Sequence, residues 1–118
     1  MQKTISISYG FNLSKTIDKI IAQQINLPAN LAFALYKLYK QLIEMEEFVF
    51  QRLNMICGEN VDFNNMTENQ KILYSSVFDS EITIDVEDNI NIEKVVKNNK
   101  INLTIQDIDN LNNIFDFR

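Results

Sequence analysis

LPANLAFALYKLYKQLIEMEEFVFQRLNMICG, residues 27–58, is the stretch that decides the fold. Leu31, Leu35, Leu38, Leu42, Met45, Val49, Leu53 and Ile56 follow one another at intervals of three or four. That spacing sets them along one side of a helix. Pro28 suits the first turn, where a missing N–H removes nothing, and Gly58 suits the left-handed residue that closes a helix. About 30 residues lie between them, roughly 45 Å of helix at 1.5 Å per residue. In a chain of 118 residues such a helix is the spine. A second apolar strip, Phe33, Tyr36, Tyr39, Ile43 and Phe50, runs beside the first and predicts that more than one element packs on it.

Before the spine, Lys3 to Tyr9 alternates, with Ile5, Ile7 and Tyr9 on one side and Thr4, Ser6 and Ser8 on the other. Period two with β-branched residues predicts a half-buried strand, broken at Gly10. A helix over about Leu13–Ile25 follows, capped by Asn12 or Ser14, with Leu13, Ile17, Ile20, Ile21 and Ile25 as its apolar face. The short turn Asn26-Leu27-Pro28 folds it back antiparallel against the spine.

After the spine, residues 58–65 lack periodicity and read as a loop. Thr67 and Gln70 form a capping box, opening a helix that carries Ile72, Leu73, Val77 and Phe78 and stops near Ser80. From Glu81 the pattern alternates again, through Ile82, Ile84 and Val86, then Ile90 and Ile92. A turn at Asp88-Asn89 makes this a hairpin, with an irregular extended arm as the alternative. Ile101 and Leu103 offer a short last strand. Thr104 with Asp107 opens a closing helix bearing Ile105, Ile108, Leu111, Ile114 and Phe115. The expected architecture is α+β in one domain, residues 1–118. It comprises a long antiparallel helical hairpin, a third helix, a small mostly antiparallel sheet and a short C-terminal helix.

Composition narrows the chemistry. Apolar residues at 46% and charged ones at 23% are ordinary for a soluble globular domain. No apolar run is long enough to span a bilayer, and the opening MQKTISISYG alternates rather than forming a signal peptide. The lone Cys57 reads as a buried small hydrophobe in a reducing compartment. The absence of histidine removes Ser-His and Cys-His nucleophile pairs and the commonest transition-metal ligand. With Gly10 and Gly58 as the only glycines, no phosphate-cradling loop exists. These features predict a protein that is not an enzyme and takes no cofactor.

The charge is uneven: residues 1–59 hold six basic and five acidic groups, residues 60–118 five and eleven. The −6 half argues against duplex nucleic acid and permits docking to a basic protein. Asp79, Glu81, Asp85, Glu87 and Asp88 would suit a divalent cation if they converged, but alternation places Glu81, Asp85 and Glu87 on a solvated strand face. Glu44 is four residues from Lys40, the spacing of an ordinary helix-surface pair, and Glu47 is seven from it. Arg52 lies beside the apolar stripe, placed to pair with Glu46, to cross to a partner, or to snorkel past the core edge. The expected contact residues are Tyr36, Tyr39, Ile43, Phe50 and Arg52, with Phe115 and Phe117 of the apolar tail.

The run LP-x-x-x-A-x-x-L-x-K-L-x-K-x-L-x-x-x-E from Leu27 to Glu46 continues into Arg52-Leu53 and Gly58. With the acidic isoleucine-rich segment and the ending Leu103-Thr-Ile-Gln-Asp107-Ile-Asp-Asn-Leu111 before Phe115 and Phe117, it resembles a group of small, poorly characterised tailed-bacteriophage and prophage proteins. The similarity covers about residues 20–118 and leaves residues 1–11 outside it. The resemblance implies a phage gene product, a virion component or morphogenesis factor, found in the virion or the cytoplasm of an infected bacterium. It supplies no catalytic residues. The expected partners are other phage or host proteins, including further copies of the chain, and no membrane. The alternative is an acidic inhibitor of a host enzyme or defence complex that mimics nucleic acid.

Overall fold

A computed structural model describes residues 2–23, 27, 29–58, 63–87, 97 and 101–114. In chain order the elements are β1 (Gln2–Ser6), α1 (Ile7–Ala22), α2 (Ala29–Cys57), a single 3-10 turn (Phe63–Asn65), α3 (Glu68–Asp79), β2 (Glu81–Asp85) and α4 (Ile105–Asn112). The fold is α+β, as the sequence predicts.

The spine is α2, whose 29 residues run most of the molecule's 49 Å length. Leu31, Leu35, Leu38, Leu42, Met45, Val49 and Leu53 are all buried on it, joined by Ala34. Each such side chain, taken out of water, stabilises the fold by about 1.5–3 kcal/mol. Ile56, last of the stripe, is only partly buried. Gly58 closes the helix at φ +81, its N–H donating to the Asn54 carbonyl at 2.8 Å. Pro28 lies outside the described residues.

Helix α1 packs along α2. Phe11 near its start meets Phe50 late in α2, whereas Ile20 and Ile21 near its end line one groove with Ala32 and Tyr36 early in α2, so the two run antiparallel. Its beginning corrects the sequence reading. The strand ends at Ser6, not Tyr9, and the helix starts at Ile7, six residues earlier than expected. The Ser6 hydroxyl accepts the Tyr9 N–H at 3.1 Å and is the true cap, in place of Asn12 or Ser14. Gly10 does not break the chain but sits inside α1. A Cβ there would lie 2.7 Å from Met45 Sδ, so the glycine lets the two helices approach. Leu13, Ile17 and Ile20 are buried as expected, but Ile21 is half exposed.

Among the described residues the sheet is one antiparallel pair, with Thr4 opposite Thr83 and Ile5 opposite Ile82. Ile5, Ile82 and Ile84 turn toward the helices, and the Thr4 and Thr83 hydroxyls meet at 3.3 Å on the other face. The partner of β2 is thus β1, brought from the other end of the chain. The expected turn at Asp88-Asn89 and second strand at Ile90–Ile92 lie outside the described residues. The outer edge of β2 is capped by a side chain: Gln41 Nε2 donates to the Asp85 carbonyl at 2.9 Å, and the Asp85 N–H donates to Gln41 Oε1 at 2.8 Å. Gln23 grips the Asn102 backbone in the same reciprocal way, at 3.0 and 2.9 Å. Residues 101–104, expected as a strand, are extended but unpaired in any sheet, with Ile101 buried.

Helix α3 opens on the predicted Thr67–Gln70 capping box and ends at Asp79. Its face differs from expectation. Val77 is buried and Phe78 and Tyr74 stack on one another, but Ile72 and Leu73 are exposed. Helix α4 opens on the predicted Thr104–Asp107 box, yet its inward face is Asp107, Asn110 and Leu111, while Ile105 is 88% exposed. The apolar periodicity is therefore right at Leu111 and Ile114 and wrong at Ile105 and Ile108. Ile114 is buried; Phe115 and Phe117 lie outside the described residues.

Candidate protein-contact surface

Four of the expected contact residues share one face. Tyr36, Tyr39, Ile43 and Phe50 follow at three, four and seven residues along α2, on the flank of the buried stripe that adjoins α1. Tyr36 is 65% and Phe50 56% exposed, Tyr39 and Ile43 less so. The Phe50 ring is held edge-on by Phe11, at 6.2 Å between centroids, and Phe11 also touches Phe78 at 5.6 Å. The anchor is thus rigid on one side and wet on the other. Arg52 does not join this face: two residues past Phe50 on a helix of 3.6 per turn, it projects about 200° away and is exposed. No ion pair to Glu46 holds it among the described residues.

Two residues complete the face. Ile21 of α1, 53% exposed, stands beside Tyr36, and Phe33, 73% exposed, sits one turn before it. Ile21 escaped the sequence reading because its spacing is that of a core residue. Its position at the edge of α1's apolar arc is the signal that marks it. Between the helix ends lies an apolar groove of about 270 Å³ lined by Ile20, Ile21, Leu27, Leu35, Tyr36 and Tyr39, with Ala32 at its wall. The Tyr39 phenol is held by a hydrogen bond with Asp18. That bond, the Asp18 charge, partial burial and the nearby Glu46 hold its pKa above the usual tyrosine value.

The polar residues the sequence reading missed lie on the other side of α1. Asp107 is buried, and three donors converge on it: Lys19 Nζ at 2.9 Å, the Thr104 N–H at 3.0 Å and the Thr16 hydroxyl at 3.1 Å. Burial pushes its pKa up, but the bonds from Lys19, Thr104 and Thr16 outweigh that and hold it below the usual carboxylate value. Asn110 Nδ2 donates to the Thr16 oxygen at 3.2 Å, and the Tyr9 hydroxyl donates to the Asn110 carbonyl. Burial pushes Tyr9 to a pKa of about 12, a hydrogen bond with Asn113 opposing and the Asp109 charge assisting, so the phenol stays a neutral donor. Every donor in this cluster has an acceptor within the fold. It fastens α4 to α1 and presents no open position for a substrate.

Among the described residues, the acidic side chains after α3 form no cation cage. Asp85 and Glu87 both turn to Lys37, at 2.9 and 3.3 Å. Hydrogen bonds with that pair raise the Lys37 pKa, and those from Lys37 lower that of Asp85. Among the described residues no three histidine, cysteine, aspartate or glutamate side chains come together as metal ligands. Asp88 lies outside them. Cys57, expected buried, is partly exposed. Among the described residues no helix is long and apolar enough to cross a membrane.

Comparison with protein-family models gave no match, and neither did comparison with curated proteins or with solved structures.

Proposed function

We propose that this chain is a non-enzymatic phage structural or assembly protein that works by binding other proteins. The observation that carries the reading is the aromatic face of the α1–α2 hairpin. Phe33, Tyr36, Phe50 and Ile21 are each more than half exposed on a rigid two-helix platform. Tyrosine and phenylalanine are the side chains that anchor protein interfaces, because each buries a large area at small cost in rotamer freedom. A helical hairpin with its core filled on one side holds such anchors in place before binding, which lowers the entropy lost on association. The phage setting is supported by the order of the sequence motifs from Leu27 to Phe117 and places the protein in virions or the infected cytoplasm.

The test is mass spectrometry of gradient-purified virions from a lysogen or phage that carries the gene, alongside affinity isolation of the tagged protein from infected cells. The proposal expects the chain in virions or bound to a virion component. Its absence from both would refute the structural or assembly role.

A further inference from the structure

We propose that a second copy of this chain covers the α1–α2 face, the two α2 helices lying antiparallel about a two-fold axis near Ile43. The inference rests on the protein-contact reading above and names the partner for that face.

The spacing is the first support. Tyr36, Ile43 and Phe50 are seven residues apart, so they stay in line along the flank of α2 as one position of a heptad, in the way helices meet at a long seam. This seam is separate from the stripe of Leu31 to Leu53, which α1, α3 and the sheet already cover.

Charge selects the occupant and its direction. Lys40 and Glu47, also seven apart, flank the strip on its outer side. Both are exposed, and neither enters an ion pair among the described residues, so the Lys40–Glu44 pairing expected from spacing is not formed. In an antiparallel pair centred near residue 43, Lys40 of each copy faces Glu47 of the other, twice over by symmetry. The same axis sets Tyr36 of one copy against Phe50 of the other. A parallel pair would instead put the Lys40/Glu47 rows of the two copies on opposite sides of the seam, where no such pair forms. On the α1 rim Lys15 and Asp18 carry one charge of each sign, adding no net repulsion.

Area supports a dimer over a passing contact. Taking an aromatic side chain as roughly 200 Å², the exposed parts of Phe33, Tyr36, Phe50 and Ile21 amount to roughly 500 Å² per copy. Two copies then bury about 1,000 Å², the size at which specific interfaces begin. Tyr39, Ile43 and the groove at the helix ends add to it.

Sedimentation velocity of the full chain over a range of concentrations tests this, with circular dichroism to verify that each variant is folded. The wild type is expected to dimerise. Lys40→Glu and Glu47→Lys should each weaken the dimer about tenfold or more, because each sets like charges opposite at two places. The double variant Lys40→Glu/Glu47→Lys should return to within about threefold of wild type. Tyr36→Glu, at an exposed position, should stay folded and become monomeric. A wild type that is monomeric at hundreds of micromolar overturns the proposal, as does a dimer indifferent to these changes or a double variant no tighter than the single ones. A monomer that still co-purifies with virions would remove the dimer and leave the assembly role standing. A dimer missing from virions would do the reverse.

Discussion

Replacing Asp107 by alanine removes the acceptor on which Lys19, Thr104 and Thr16 converge, and the cost can be worked from their surroundings. Hydrogen bonds to a charged group contribute about 1.5–3 kcal/mol net, more where a donor is left buried and unpaired. Here two donors recover. Lys19 is half exposed and returns to water, and the Thr16 hydroxyl has the Asn12 carbonyl at 3.2 Å as an alternative. The capping box at Thr104 is lost in part, at about 1 kcal/mol. We expect a loss of about 3 kcal/mol at neutral pH for Asp107→Ala and somewhat less for Asp107→Asn, measured by urea denaturation. The pH dependence is the sharper test. The carboxyl's pKa is lower in the folded chain than the ordinary value of about 3.9, so its contribution is fully present above that value and disappears as pH falls through the folded one. The gap between wild type and Asp107→Asn should therefore hold steady above about pH 5 and close in more acid solution. A gap below about 0.5 kcal/mol at neutral pH, or one unchanged in acid, would show that Asp107 is not the hub of this cluster.

Other perturbations follow from the same packing. Leu42→Asp puts an unpaired charge at a fully buried point of α2, at a cost of several kcal/mol, so the variant should be unfolded by circular dichroism at 25 °C; a wild-type melting curve would mean the wrong face was assigned. Gly58→Ala meets no atom within 4 Å, leaving only the strain of φ +81, and should lower stability by about 1 kcal/mol. A chain ending at Leu103 loses the buried Leu111 and Ile114 together with Asp107, and its denaturation midpoint should fall by the equivalent of about 5 kcal/mol or more. An unchanged midpoint would make α4 an appendage and not part of the core.

The sequence was most legible where one physical demand dominates. Along α2 one apolar stripe runs from Leu31 to Leu53 over about six turns, and no competing period fits it, so the spine could be read directly. The two capping boxes were equally plain because they are local: Thr67 needs only Gln70, and Thr104 only Asp107. At the N-terminus two periods overlap. Ile5, Ile7 and Tyr9 satisfy alternation, while Ile7, Gly10, Leu13, Ser14 and Ile17 satisfy the helix, and both fit the residues equally well. What ends the strand at Ser6 is that β1 pairs with a strand 75 residues or more away, a fact no local window contains, while the Ser6 cap is a local signal the alternation hid. The contact face was legible as a second strip on α2. Its completion by Ile21 was not, since that depends on how far α1 stops short of covering the seam.

Helix α4 shows why apolar periodicity failed there. Two rotations of it about its axis would each turn a pair of apolar side chains inward, Leu111 with Ile114 in the one observed and Ile105 with Ile108 in the other. Side chains of this kind contribute about 1.5–3 kcal/mol each on burial, and with two in either rotation apolar burial alone selects neither strongly. The polar side is not balanced in this way. Turning Ile105 and Ile108 inward would swing Asp107 and Asn110 into solvent, parting Lys19 and Thr16 from their carboxylate and the Tyr9 hydroxyl from the Asn110 carbonyl. Beside a near-tie in apolar burial, roughly 3 kcal/mol from Asp107 decides the orientation. The residues that select it are Thr16, Lys19 and Tyr9, about 90 to 100 positions earlier in the chain. Helix α4 is thus oriented by its polar side and stabilised by its apolar one. Ile105 is left in water, and Ile108 partly so, as the consequence of that choice.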